Sequence, residues 1–242
     1  MKTIVSRRSL IRLAAGGLAA PTILRRTAAA AETPVLLELF TSQGCSDCPP
    51  ADKLAGELAK MPGVQVVSLN VDYWDYLGWK DTLGKAQYSQ RQMDYAHARG
   101  DNDVYTPQMV INGAAHAIGS RRSDVEAAIA QAKAATVSVK VAMSGAEIEI
   151  KLGDGAAQES TLWVMGIAPQ VSVPIKRGEN AGHEVIYHNV ARQLVEVGRW
   201  NGAAQSYKLA TAKIAEPDCK SCLAVLQAGK VGPVLGFATL AI

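Results

Sequence analysis

The stretch TSQGCSDCPPADKLAGELAK, residues 41–60, decides the fold. It joins a continuous apolar run, VLLELF at 35–40, to a segment with Leu54 and Leu58 four apart and small residues at 51, 55 and 59. The first reads as a buried parallel strand and the second as a helix over 48–60, stopped by Met61-Pro62-Gly63. Cys45 and Cys48 therefore sit at a strand-to-helix junction. Unpaired backbone N–H groups and the positive end of the helix dipole favour a thiolate there. A lowered thiol pKa makes both a better attacking and a better leaving sulfur. The spacing lets Cys48 resolve a mixed disulfide formed on Cys45. Asp47, between the two, opposes thiolate formation, and Pro49 and Pro50 suit a first helical turn.

Three uses of the pair are open: a redox switch, a clamp for copper(I) or zinc, and a staple. The staple is the weakest, since closing so short a loop contributes about 2 kcal/mol. A complete zinc site needs further ligands at short spacing, and none is near in sequence, so no metal ligand is assigned. Copper(I) bound by the thiolates stays as the alternative, with Met109 and a second CxxC as the features it would draw on. Otherwise the only cofactor expected is the disulfide itself.

Working outward, VQVVSLNV (64–71) reads as a second strand and residues 85–100 as a helix. VYTPQMVI (104–111) reads as a third strand, and Asn112-Gly113 turns it into a partner strand, AHAIG. Ser123 and Glu126 form a capping-box pattern for a last helix. Pro107 enters a segment otherwise fit for a sheet interior, where proline is normally penalised. A cis Thr106–Pro107 bond explains it, and the backbone at Tyr105-Thr106 would then face an extended substrate. Glu38 interrupts the first strand, either as a proton relay to Cys48 or as a strand-end carboxylate with a partner of its own. Tyr73, Trp74, Tyr76 and Trp79 either line a substrate groove, with Trp74 as a contact, or anchor their segment to the core.

Residues 136–242 carry no convincing helix. Short runs of alternating polarity, from VSVKVAM onward, predict an antiparallel β-sandwich. The second pair, Cys219 and Cys222, precedes a strand rather than a helix. It reads as a structural disulfide across a hairpin end, as a relay to Cys45/Cys48, or as part of a shared metal site. Arg177-Gly178-Glu179-Asn180 reads as a turn without assignable chemistry.

The chain has 242 residues, 48% hydrophobic and 19% charged, enough for a sizeable core. Ser6-Arg7-Arg8-Ser9-Leu10-Ile11, an apolar stretch and an Ala-rich exit occur in that order, so residues 1–31 read as a twin-arginine export signal, too short and interrupted for a good membrane span. Those residues hold six basic side chains and no acid. The formal charge of +3 therefore becomes 19 basic against 22 acidic residues, a net −3, in the remainder. That excludes an electrostatic nucleic-acid binder. Export predicts a periplasmic or secreted location, an oxidising compartment.

The CxxC opening a helix after the first core strand, the Thr-Pro before a hairpin and the closing helix resemble thioredoxin over about residues 34–135. More narrowly, ELFTSQGCSDCPPAD, VDYWDYLGWKD, YTPQMVING and RGENAG resemble an exported bacterial thioredoxin-like family labelled domain of unknown function 1223. The resemblance implies an α/β, thioredoxin-like domain at 32–135 followed by an antiparallel β-sandwich at 136–242. It implies a thiol–disulfide oxidoreductase whose partners are a disulfide-containing protein or small thiol and a separate redox partner. Gly44 stands where thioredoxin has tryptophan, and Ser46-Asp47 where it has Gly-Pro. A non-catalytic interaction protein is the third reading.

Overall fold

The computed structural model describes residues 34–242, and the expected export segment lies outside them. Its spine is β1 (Val35–Thr41), buried along its whole length. Burial on both faces explains the unbroken apolar run, and the strand's alternation sorts its side chains. Leu37 and Leu39 face α1 (Pro49–Leu58), together with Leu54 and Leu58, while Leu36 and Phe40 face α2 (Ala86–Arg99) through Tyr88 and Tyr95.

β1 pairs in parallel with β2 (Val64–Asn70) and antiparallel with β3 (Gln108–Ile111), which turns into β4 (Ala115–Ile118). Asn112 and Gly113 supply the positive φ angles of that turn, 45° and 64°. α3 (Arg122–Ala130) closes this part with Val125 in the core beside α1. Its start is not the expected capping box. Ser123 lies inside the first turn and bonds to Asp124 Oδ1 at 3.1 Å, and Glu126 pairs with Arg122.

The remaining strands are β5 (Val139–Ser144), β6 (Glu147–Leu152), β7 (Ser160–Pro174), β8 (Glu184–Trp200), β9 (Gln205–Ala210), β10 (Ser221–Ala228) and β11 (Val234–Ala241). They do not form a separate sandwich. β8 joins β2 through Ser68 and Val190, giving one mixed sheet in the order β11-β10-β7-β8-β2-β1-β3-β4. Only β5, β6 and β9 form a second, antiparallel sheet. The core between them holds Ile148 and Ile150 against Val164, Ala224 and Leu226. The other face of the large sheet carries Trp163, Met165 and Val225 into the same core as α2. The described residues, 34–242, are accordingly one compact unit, and its main sheet crosses the boundary expected near residue 135. Alternation shows that a strand has two faces, but not which strand lies beside it.

β7 and β8 form a long hairpin with irregular register at Leu162/Trp163 and Gly166/Ile167. Its distal arm packs on the flank of α1. Gly56 permits this approach, because a Cβ there would collide with the His188 ring. No helix among the described residues is long and apolar enough to cross a membrane.

Candidate functional site

The strand β1 ends at Thr41, and the loop that follows is held from several sides. Gln43 N donates to Asp81 Oδ2 at 2.7 Å, and Gly44 N donates to Ser42 Oγ at 3.1 Å. Asn180, at the tip of the β7–β8 hairpin, donates through Nδ2 to Gln43 O at 3.0 Å and to Cys45 O at 2.8 Å. The turn that carried no assignable chemistry thus clamps the cysteine loop, from 135 residues away in sequence.

Cys45 and Cys48 form a disulfide, with Cα atoms 5.4 Å apart. Cys48 is the N-cap of α1 and fully buried, while Cys45 keeps 6% exposure beside exposed Ser46 and Asp47. Cys45 is therefore the sulfur an incoming group meets first. Pro49 and Pro50 carry no N–H, and Ala51 N and Asp52 N both donate to Cys48 O, at 2.8 and 3.1 Å. The helix start consequently offers fewer free donors to a thiolate than its position alone suggests.

The Thr106–Pro107 bond is cis, and Pro107 is buried. A Cβ placed on Gly119 would lie 3.2 Å from both Pro107 Cβ and Ala51 Cβ, so the proline loop rests near the first turn of α1. Trp74 ties this loop to the cysteine loop. Its Nε1 donates to Thr106 Oγ1 at 2.7 Å, and its own Cβ lies 3.0 Å from where a Cβ of Gly44 would stand. Gly44 thus leaves room for Trp74. The Tyr105 carbonyl accepts from Gln92 Nε2 at 2.7 Å, and the Tyr105 hydroxyl bonds to His116 Nδ1 at 2.9 Å.

Glu38 is not part of this group. It shares the α2 face of β1 with Leu36 and Phe40, away from α1. Its carboxylate takes Arg91 at 2.8 and 3.2 Å and the Tyr95 hydroxyl as well. Gln227 on β10 joins through Arg91 and Tyr95. This is a buried ion-pair network linking β1, α2 and β10, which matches the reading of Glu38 as a strand carboxylate with a partner of its own.

A different carboxyl, Asp52, which sequence reasoning passed over, lies near the disulfide in the chain. It is 1% exposed and one helical turn beyond Cys48, a spacing that brings the two Cβ atoms to about 5–6 Å. Neither carboxyl oxygen has a hydrogen-bond partner of normal geometry among the described residues, although the Thr41 hydroxyl stands beside it. Burial drives its pKa well above the usual carboxylate range, and nearby Asp81 adds to the effect. Burial thus favours the protonated form of Asp52, one helical turn beyond Cys48. A cavity of about 400 Å³, lined by Asp52, Gly56, Lys60, Glu184 and His188, lies on its solvent side. Asp81 is raised by burial too, but accepts from Gln43 N, Asn70 Nδ2 and Leu83 N.

Cys219 and Cys222 are free thiols rather than the expected disulfide. Cys219 Sγ contacts Ile214 O at 3.6 Å, and Cys222 lies in the core between the two sheets. Burial pushes both thiols up, Cys222 to about 11. β7, β8 and β2 stand between β10 and β1, roughly 19 Å at ordinary strand spacing. The two pairs therefore do not meet as a relay or shared metal site in this conformation. Met109 lies in the core under α1. Asp101, Asp103 and His116 are close enough to hold an ion, but Asp101 is engaged by Arg99 and His116 Nδ1 by Tyr105 and Gln108.

Comparison with known proteins places the chain. Residues 36–227 match the family described as "Protein of unknown function (DUF1223)", and the chain belongs to that family. A crystal structure of a protein from Agrobacterium tumefaciens is 31% identical with a TM-score of 0.77, covering 87% of this chain and 96% of that one. HBP35 of Porphyromonas gingivalis is similar in fold, at 11% identity and a TM-score of 0.57, over 88% of this chain and 76% of that one. No curated protein matches.

Proposed function

We propose that this member of the family is an exported thiol–disulfide oxidoreductase on a thioredoxin-like scaffold. One observation carries the reading. A disulfide at a strand-to-helix junction is faced by a cis-proline loop, and a buried carboxyl whose pKa burial raises lies one helical turn away. An incoming thiolate attacks Cys45 Sγ and forms a mixed disulfide, while the electron pair of the Cys45–Cys48 bond leaves on Cys48. Asp52 gives that sulfur its proton, which moves the charge from Cys48 to its own carboxyl, and solvent in the cavity that Asp52 lines returns the proton. A second thiolate from the same donor then attacks the mixed disulfide, releasing a donor disulfide and leaving Cys45 and Cys48 reduced. In the reverse direction Cys45 attacks a substrate disulfide, Cys48 resolves it and Asp52 takes the proton back. Asp47 and the two prolines, which leave Cys45 with little stabilisation as a thiolate, support a potential short of the most oxidising extreme.

Disulfide-bearing proteins or small thiols are the substrates, and a separate redox partner resets the pair. The twin-arginine segment supports a periplasmic or secreted location. The copper reading draws less support, because Cys222 lies in the core between the two sheets, four strands from β1, and Met109 is packed among apolar side chains under α1. The deciding experiment is an equilibrium titration of Cys45/Cys48 in glutathione buffers, with Cys219 and Cys222 replaced by Ser. A midpoint of about −120 mV identifies a disulfide donor, and one of about −270 mV a reductant fed by an electron source. A pair that does not titrate reversibly overturns the reading. A Cys48→Ser chain should accumulate mixed disulfides on Cys45.

A further inference from the structure

Tyr76 is 75% exposed, the most exposed of the large apolar side chains among the described residues. It contributes little to the core, yet its setting is built. It belongs to a short 3-10 turn, Asp75–Leu77, closed by Gly78 at φ 94°. Its ring lies 6.2 Å from that of Trp74, which lies 5.6 Å from Tyr73. Tyr73 is anchored by its hydroxyl on Gln92 Oε1 at 3.1 Å. Trp74 is fixed by Thr106 Oγ1 and by the backbone at Gly44. The stack therefore begins in the core, crosses between the cysteine and proline loops, and ends in solvent.

A second observation says what meets it. The Thr106 backbone N–H and C=O make no hydrogen bond among the described residues, beside the cis bond. An extended polypeptide satisfies such a pair by strand addition and sends alternate side chains to one side. The Tyr76 ring, 6.2 Å from the Trp74 ring that itself reaches Thr106, would add apolar contact to a chain on that track.

We infer that Tyr76, propped on Trp74, is a specificity ledge that selects polypeptide disulfides whose cysteine is flanked by an aromatic or bulky apolar residue. This rests on the oxidoreductase reading and narrows its substrates from thiols in general to extended chains. Trp74 is the positioning residue. Tyr76 touches the substrate.

The test uses the described chain with matched peptides carrying Phe or Gly beside one cysteine. Serine versions are titrated by calorimetry, and mixed disulfides with glutathione are assayed for turnover. The wild type should favour the Phe peptide about tenfold in binding and in kcat/KM. Tyr76→Ala should bring both ratios to about one, and Tyr76→Phe should keep them. Equal handling of the two peptides by the wild type, or a preference that survives Tyr76→Ala, overturns the ledge and leaves the oxidoreductase reading intact. A binding preference without any turnover upholds the ledge and removes the oxidoreductase reading instead.

Discussion

Replacing Asp52 by Asn tests the electrostatic account of the site in a way that does not depend on finding a substrate. The carboxyl is buried, lacks partners, and has its pKa raised first by desolvation and then by Asp81. In an unfolded chain an aspartate ionises at about pH 3.9. Below that pH both states hold the proton, and the group costs the fold nothing. Above it the unfolded state gains by ionising, whereas the folded state keeps its proton. Stability is therefore lost as pH rises, until the folded carboxyl also ionises. Each unit of displacement is worth about 1.36 kcal/mol, roughly 3–5 °C in Tm for a domain of this size. The amide of the Asp52→Asn variant has no such liability. It also lacks partners, but that cost is the same at every pH and drops out of the difference. Asp81 is present in both chains and drops out to the same degree. Thermal unfolding of the oxidised proteins between pH 4 and pH 8 should show the Tm of Asp52→Asn rising relative to wild type from about pH 4 upward, levelling off only where the folded carboxyl ionises. A difference that stays flat, or shrinks toward pH 8, would refute the claim that Asp52 is held neutral. The same variant should slow opening of the disulfide by dithiothreitol by about 10²-fold, because Cys48 then leaves without a proton donor.

Three further outcomes follow from the same geometry. Glu38→Gln strands the Arg91 guanidinium without its counter-charge, and should lower the unfolding free energy by about 3–5 kcal/mol in urea titration; a loss below about 1 kcal/mol would mean that the network is not energetically coupled. Asn180→Ala removes the donors to Gln43 O and Cys45 O, at a cost of about 1–3 kcal/mol, and should speed hydrogen exchange at the Gly44 and Cys45 amides; unchanged exchange would show that the hairpin does not hold the loop. Ellman titration without reductant should find two thiols per chain in denaturant and none in the native state at pH 8, since Cys219 and Cys222 are buried with raised pKa values. Finding none in denaturant would reinstate a second disulfide.

What the sequence shows and what it hides divide along one physical line. Local chemistry is legible. The apolar run of β1, the proline-capped start of α1, the Asn112-Gly113 turn and the Thr106-Pro107 step each act through their own backbone and immediate neighbours. Faces and partners are not. Glu38 reads equally as an acid for Cys48 and as a strand carboxylate with its own partner, and strand parity, which turns it toward α2 and Arg91, decides for the second. The later strands read as a sandwich of their own, yet β8 enters the sheet beside β2, and that choice rests on contacts more than a hundred residues apart. No motif singles out Asp52 among the polar residues of α1. A signal is nonetheless present. Asp52, Ala55 and Gly56 form an i, i+3, i+4 stripe beside the Leu54/Leu58 stripe, and small residues at that spacing mark a second face under close packing. The β7–β8 arm supplies that packing, with His188 against Gly56, and its tip delivers Asn180 to the cysteine loop. One hairpin thus buries the acid and fixes the loop it serves. The strands after residue 135 are therefore part of the cysteine site's construction rather than an appended module, and removing them should leave the CxxC motif without the environment that its proposed chemistry requires.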